Sequence, residues 1–117
     1  MTKSLVAAGA IDAGLAVAAG AFGAHALRER LEPRALEIFE TAARYQMYHA
    51  LAILLCAVMA TSGARTAGWI LQAGIVIFSG SLYALALTDV KVLGAITPIG
   101  GLAFLVGWAW LAVSALR

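Results

Sequence analysis

Charge is what this sequence most lacks. Only 12% of its 117 residues are Asp, Glu, Lys or Arg, about half the share in an ordinary soluble chain. Cysteine is nearly absent too: Cys56 stands alone, which excludes an intramolecular disulfide. The two histidines, His25 and His49, lie 24 residues apart with no Cys or acid completing a tight cluster. That pattern argues against a metal or haem centre, so no metal and no cofactor is assigned. The few basic residues are scattered, which excludes a nucleic-acid surface. No nucleophile elbow, phosphate loop, dinucleotide fingerprint or zinc-protease motif occurs, and no residue is assigned a catalytic role. These absences point away from an enzyme.

What replaces charge is apolar length. Hydrophobic residues make up 63% of the chain. Tyr45–Ala64, Thr66–Thr88 and Val92–Leu116 carry no charge over 20, 23 and 25 residues. At about 1.5 Å per residue, each can cross the ~30 Å hydrocarbon core of a bilayer as a helix. A fourth run, Ser4–Leu27, is interrupted only by Asp12. The same aspartate breaks the apolar core that a cleaved signal peptide would need, so this run is also read as a span. The expected architecture is all-α: one integral membrane domain over residues 1–117, with spans at about 4–27, 45–62, 67–88 and 92–116.

Gly63–Thr66 and Asp89–Lys91 are read as the two short turns, which make consecutive helices antiparallel neighbours. The longer connection, residues 28–44, holds eight of the fourteen charges: four Arg against four Glu. Pro33 suits a first helical turn. After it, Leu36, Phe39 and Ala43 recur at helical spacing. Glu40 and Arg44 stand at i,i+4 in the favourable order. This is an amphipathic helix, either lying at the headgroup level or continuing the second span into water. Counting basic residues alone, five (Arg28, Arg30, Arg34, Arg44, Lys91) oppose three (Lys3, Arg65, Arg117). The count favours a cytoplasmic connection with both termini outside.

Lipid gives helices no hydrophobic reason to associate, so small residues that allow close approach must do it. Ala16, Gly20 and Gly23 in span one recur about a turn apart, and Gly80, Gly100 and Gly101 are expected to serve spans three and four. Self-association into a homo-oligomer through span one follows from the same reasoning. Pro98 interrupts span four, with Thr97 placed to satisfy a freed carbonyl. Trp69, Trp108 and Trp110 are read as an interfacial aromatic belt on the side of the termini.

The topology gathers polar residues on the opposite side: His25, Arg44, Tyr45, Gln46, Tyr48, His49, Ser81, Tyr83, Asp89 and Thr97. An ionisable group inside a span normally faces the bundle interior and needs a partner. The leading reading is an interhelical hydrogen-bond network that locks the bundle. A proton or ion path with a mouth at His25 and His49 is the alternative, and a lipid- or quinone-binding mouth is a third. Asp12 is either protonated, paired across an oligomer interface, or closer to the membrane surface than its position suggests.

Four motifs, in order, carry a resemblance. They are Gly20-Ala-Phe-Gly-Ala-His-Ala-Leu27, the stretch Phe39–Leu51 around Arg44-Tyr-Gln-Met-Tyr-His49, Phe78-Ser-Gly-Ser-Leu-Tyr83, and Thr97-Pro-Ile-Gly-Gly101 with Gly107-Trp108. Together they resemble the domain-of-unknown-function family numbered 423, the YgdD/YwdK-like small inner-membrane proteins. That family is similar to the eukaryotic transmembrane-protein-256-like group. The resemblance covers essentially the whole chain. It implies a four-span protein of the cell's inner membrane and no activity. Asp12 departs from the small or apolar residue expected of the family at that place.

Overall fold

The computed structural model describes residues 2–117. Among them are four helices and no strand: α1 (Lys3–His25), α2 (Pro33–Met59), α3 (Ser62–Thr88) and α4 (Leu93–Ala115). Each is long and apolar enough to cross a membrane. The protein is a slab about 48 Å long, 26 Å wide and 18 Å thick. Helix α2 packs on α1 and α3, and α3 on α4, while α1 meets α3 only narrowly. The inner pair, α2 and α3, is therefore flanked by two outer helices.

Local chemistry sets the helix ends. Glu32 is extended ahead of Pro33, as sterics against the proline ring require, and the proline then opens α2 without wasting an N–H. From Pro33 the helix runs unbroken to Met59. From Pro33 on, the charged connection is continuous with the second span as one helix. At the other end of α2 the turn is tighter and earlier than Gly63–Thr66. Ala60 takes the left-handed conformation at φ 57°. Thr61 then caps α3, its Oγ1 accepting from the Ala64 N–H at 3.1 Å. Gly63 lies within α3. A side chain there would collide with Ser114, so this glycine serves packing and not the turn. Asp89 closes α3 in the left-handed region at φ 58°, a conformation that aspartate tolerates better than most residues.

The core is thin. Leu5, Ala52, Ile53, Ala57, Leu71, Ile75 and Phe104 form its main cluster. Leu27, Phe39 and Ala86 form a second cluster at the connection end, where Leu27 accepts backbone bonds from Arg30 and Leu31 to fold the 26–32 segment over the bundle.

Close approach is most severe between α3 and α4. A Cβ on Gly100 would strike the backbone of Phe78, one on Gly74 would strike the Phe104 ring, and one on Gly107 would strike Leu71. Ala16, at 3% exposure, is buried, and Gly23 faces the Phe39 ring. Gly101 is in ordinary contact with Phe78, whereas Gly20 and Gly80 have open space beside them within the protomer. Pro98 lies inside α4. Its ring leaves the Gly94 carbonyl without the usual backbone donor. Thr97 Oγ1 donates to the neighbouring Leu93 carbonyl at 3.2 Å instead.

Candidate functional site

Three lines of polar side chains cross the bundle. The first joins α1, α2 and α3. Gln46 sits on the buried face of α2 and donates from Nε2 to the backbone carbonyl of Asp12 at 2.7 Å. Its Oε1 accepts from the Tyr83 hydroxyl at 2.8 Å. Both ends of one amide are therefore used, and Tyr83 is held from the side by the Phe39 ring, 4.9 Å between centroids.

The second line joins α2 to α4 through His49. Nδ1 lies 2.7 Å from the Tyr45 carbonyl, and Nε2 lies 3.1 Å from the Trp108 indole nitrogen. The carbonyl can only accept and the indole can only donate. The imidazole must then carry its hydrogen on Nδ1 and offer a lone pair from Nε2, which is the neutral ring in a single tautomer. Phe104 stacks on that ring at 3.6 Å, nearly parallel. Tyr45 packs against Phe78, and Tyr48 leans on Tyr45 from the exposed side.

The third line fastens α3. Ser79 Oγ donates to the Ala42 carbonyl of α2 at 2.8 Å. Ser81 and Thr97 hydroxyls meet across the α3–α4 contact at 2.6 Å.

The remaining residues of the expected cluster lie outside these lines. His25 ends α1 and is exposed. It stands at the level of Phe39, which packs on Gly23. His49 is ten residues further along α2, about 15 Å deeper by helical rise, so the two histidines do not converge. Arg44 is exposed and donates to Thr41 Oγ1 at 3.3 Å, not to Glu40. Asp89 pairs with Lys91 at 2.6 Å on the exposed surface. Two of the clefts lie at opposite ends of the molecule. One, of about 500 Å³, is lined by Arg30, Arg34, Asp89 and Lys91 among others. The other, of about 470 Å³, lies between α3 and α4 around Thr66, Trp110 and Ser114. Neither is lined by Gln46, His49 or Ser81.

Trp108 is the partner that sequence reasoning missed. Its expected place is an interfacial belt; the structure adds an indole bond to His49. The available signal was its place one residue after Gly107, which presses on Leu71 and so brings α4 close to the inner pair at this depth. Ser79, Phe78 and Phe104 likewise went unassigned.

A family model described as "Protein of unknown function (DUF423)" matches residues 19–101. The chain belongs to this family. DUF423 membership is supported over nearly the full length by relatives. The chain is 48% identical to a UPF0382 membrane protein of Staphylococcus epidermidis, covering 98% of this chain and 97% of that one. It is 45% identical to the UPF0382 membrane protein YwdK of Bacillus subtilis, covering 98% of each. No solved structure matches. These names describe membrane proteins and state no activity. With four apolar helices of spanning length, this DUF423 chain is an integral membrane protein whose solvent is lipid.

Proposed function

We propose that the chain is a non-enzymatic structural or interaction module of the cytoplasmic (inner) membrane, its polar interior serving to hold the helices in register. The observation that carries this reading is His49. Both ring nitrogens are committed to partners on two helices, so neither is turned toward a cleft where an ion or substrate could enter. Gln46 is used at both ends in the same way. Interhelical bonds of this kind are worth about 0.6–2 kcal/mol each in membranes. They matter more for fixing rotation and depth than for total stability.

Self-association with a second copy belongs to the same reading. Helix α1 exposes Ile11, Leu15 and Phe22, and beside Gly20 there is room for a neighbouring backbone. Gly20→Leu would then weaken oligomers in native mass spectrometry while leaving the protomer folded. A chain that stays monomeric across mild detergents would remove this element.

The test of the main reading is flux. Full-length protein in liposomes should dissipate a pH or potassium gradient no faster than empty liposomes do, and His49→Gln should behave identically. Faster wild-type dissipation that His49→Gln abolishes would establish a transport protein instead, because glutamine cannot titrate.

A further inference from the structure

Helix α1 carries one ionisable side chain within the bundle, Asp12, and the interactions described so far use only its backbone carbonyl. Its side chain is 7% exposed, and Oδ2 is buried without a hydrogen-bond partner. The Gln72 side chain of α3 faces it as a hydrogen-bond donor, its amide N–H toward the carboxyl. Gln72 Oε1 is itself buried without a partner. Two oxygens thus lie unpartnered where α1 meets α3, and both are acceptors. A carboxylate and an amide oxygen cannot satisfy each other, whereas a carboxylic acid and an amide oxygen can. The Gln72 N–H gives the carboxyl one donor, but an ionised carboxyl would still keep a full negative charge inside the span, a costly arrangement, and would leave Gln72 Oε1 without a donor.

Among the described residues no salt bridge reaches that carboxyl. From α2, Asp12 meets Gln46 through its backbone; from α3 it meets Gln72. Neither ionises. Other ionisable groups on those helices have their own commitments. The His49 nitrogens are taken by Tyr45 and Trp108, the Tyr83 hydroxyl is donated to Gln46, and Cys56 packs among Ala64 and Ala67. The one ion pair among the described residues, Lys91–Asp89, is at the exposed turn after α3.

We propose that Asp12 and Gln72 form a proton-holding pair, in which the Asp12 carboxyl is a neutral acid and its O–H is donated to Gln72 Oε1. The proton is a bound ligand with two oxygen partners. Around it, Leu5 packs against Gly68 and Leu54 against Gly9, and Gln46 joins the Asp12 carbonyl to Tyr83. The pair also ties α1 to α3, which otherwise meet only narrowly. The proposal does not depend on the scaffold reading, since a site of this kind fits a static bundle and a conducting one alike.

The chain has only two aspartates, Asp12 and Asp89, which makes the test direct. Full-length Asp89→Asn protein, labelled with ¹³C at the aspartate side-chain carboxyl and reconstituted in liposomes, reports Asp12 alone. Asn tolerates the left-handed backbone at position 89 as well as aspartate does. At neutral pH the expected Cγ resonance is that of a carboxylic acid, unchanged when sodium replaces potassium. A resonance at the carboxylate position would overturn the proposal. A carboxylate resonance that moves on adding sodium would overturn it in favour of a cation site. The flux experiment reads neither outcome, so failure of one account leaves the other standing.

Discussion

Helices α2 and α4 invert the order expected of a protein in water. Helix α2 is the least apolar of the four, yet half of its most apolar stretch is buried; α4 is far more apolar, and only 17% of its corresponding stretch is buried. In water, burial follows apolarity because apolar surface gains by leaving the solvent. In lipid a leucine gains almost nothing by turning inward, and what gains are polar groups needing partners and small residues allowing contact. The inner face of α2 accordingly holds Ala42, Gln46, His49 and Ala50. The outer face of α4 displays Ile99, Leu102, Leu105 and Val106.

That contrast can be broken most severely at Gly100, where α4 touches the backbone of α3. Gly100→Val should cost about 3 kcal/mol, the upper end of overpacking penalties, or prevent recovery of folded protein. Gly80→Val, with open space beside it, should leave the protomer's stability within about 0.5 kcal/mol. Thermal unfolding in one detergent compares the two. If both variants behave alike, backbone approach is not what joins the outer helix to the inner pair.

A smaller effect is expected from the polar line. Gln46→Leu removes the acceptor of the Tyr83 hydroxyl and the donor to the Asp12 carbonyl. Leaving such groups unpaired costs about 1–3 kcal/mol. A lower unfolding midpoint, with unchanged helix content by circular dichroism, would match the bundle-locking role. A midpoint equal to wild type would show that α2 is buried for its small residues alone.

The smallest effect belongs to the lipid face. Leu105 is 69% exposed, and Leu105→Ala should change stability by less than about 0.5 kcal/mol. A loss comparable to that of Gln46→Leu would mean that α4's outer surface is covered, by a second copy or another chain.

The architecture was readable because charge-free runs of spanning length are hard to mistake and short connections leave few topologies. The continuity of α2 through residues 33–44 was only half readable: the helical spacing was visible, but whether that helix bends at the membrane surface depends on packing of Phe39 and Leu27 against Ala86. The polar residues on α2 and α3 could be placed on one side from topology alone. Which of them pair could not, because pairing across helices depends on the rotation and depth of each. Gln46 and Tyr83 meet, but His49 reaches forward to Trp108 and not back to His25. A tryptophan near a span's end ordinarily marks the interface, and nothing in the position of Trp108 alone indicates that its indole bonds His49. Gly63, expected in a turn, lies within α3: the tertiary contact with Ser114, not local conformation, explains the glycine.

The state of His49 tests the account most directly, since the claim is that this ring is a fixed crosslink between α2 and α4. The measurement is ¹⁵N NMR of histidine-labelled full-length protein in liposomes, with His25→Gln leaving one histidine to observe. The account predicts a neutral imidazole at neutral pH with its hydrogen on Nδ1. It also predicts an Nε2 resonance displaced by Trp108→Phe, which removes the indole donor. A hydrogen on Nε2, a doubly protonated ring, or an Nε2 resonance indifferent to Trp108 would contradict it.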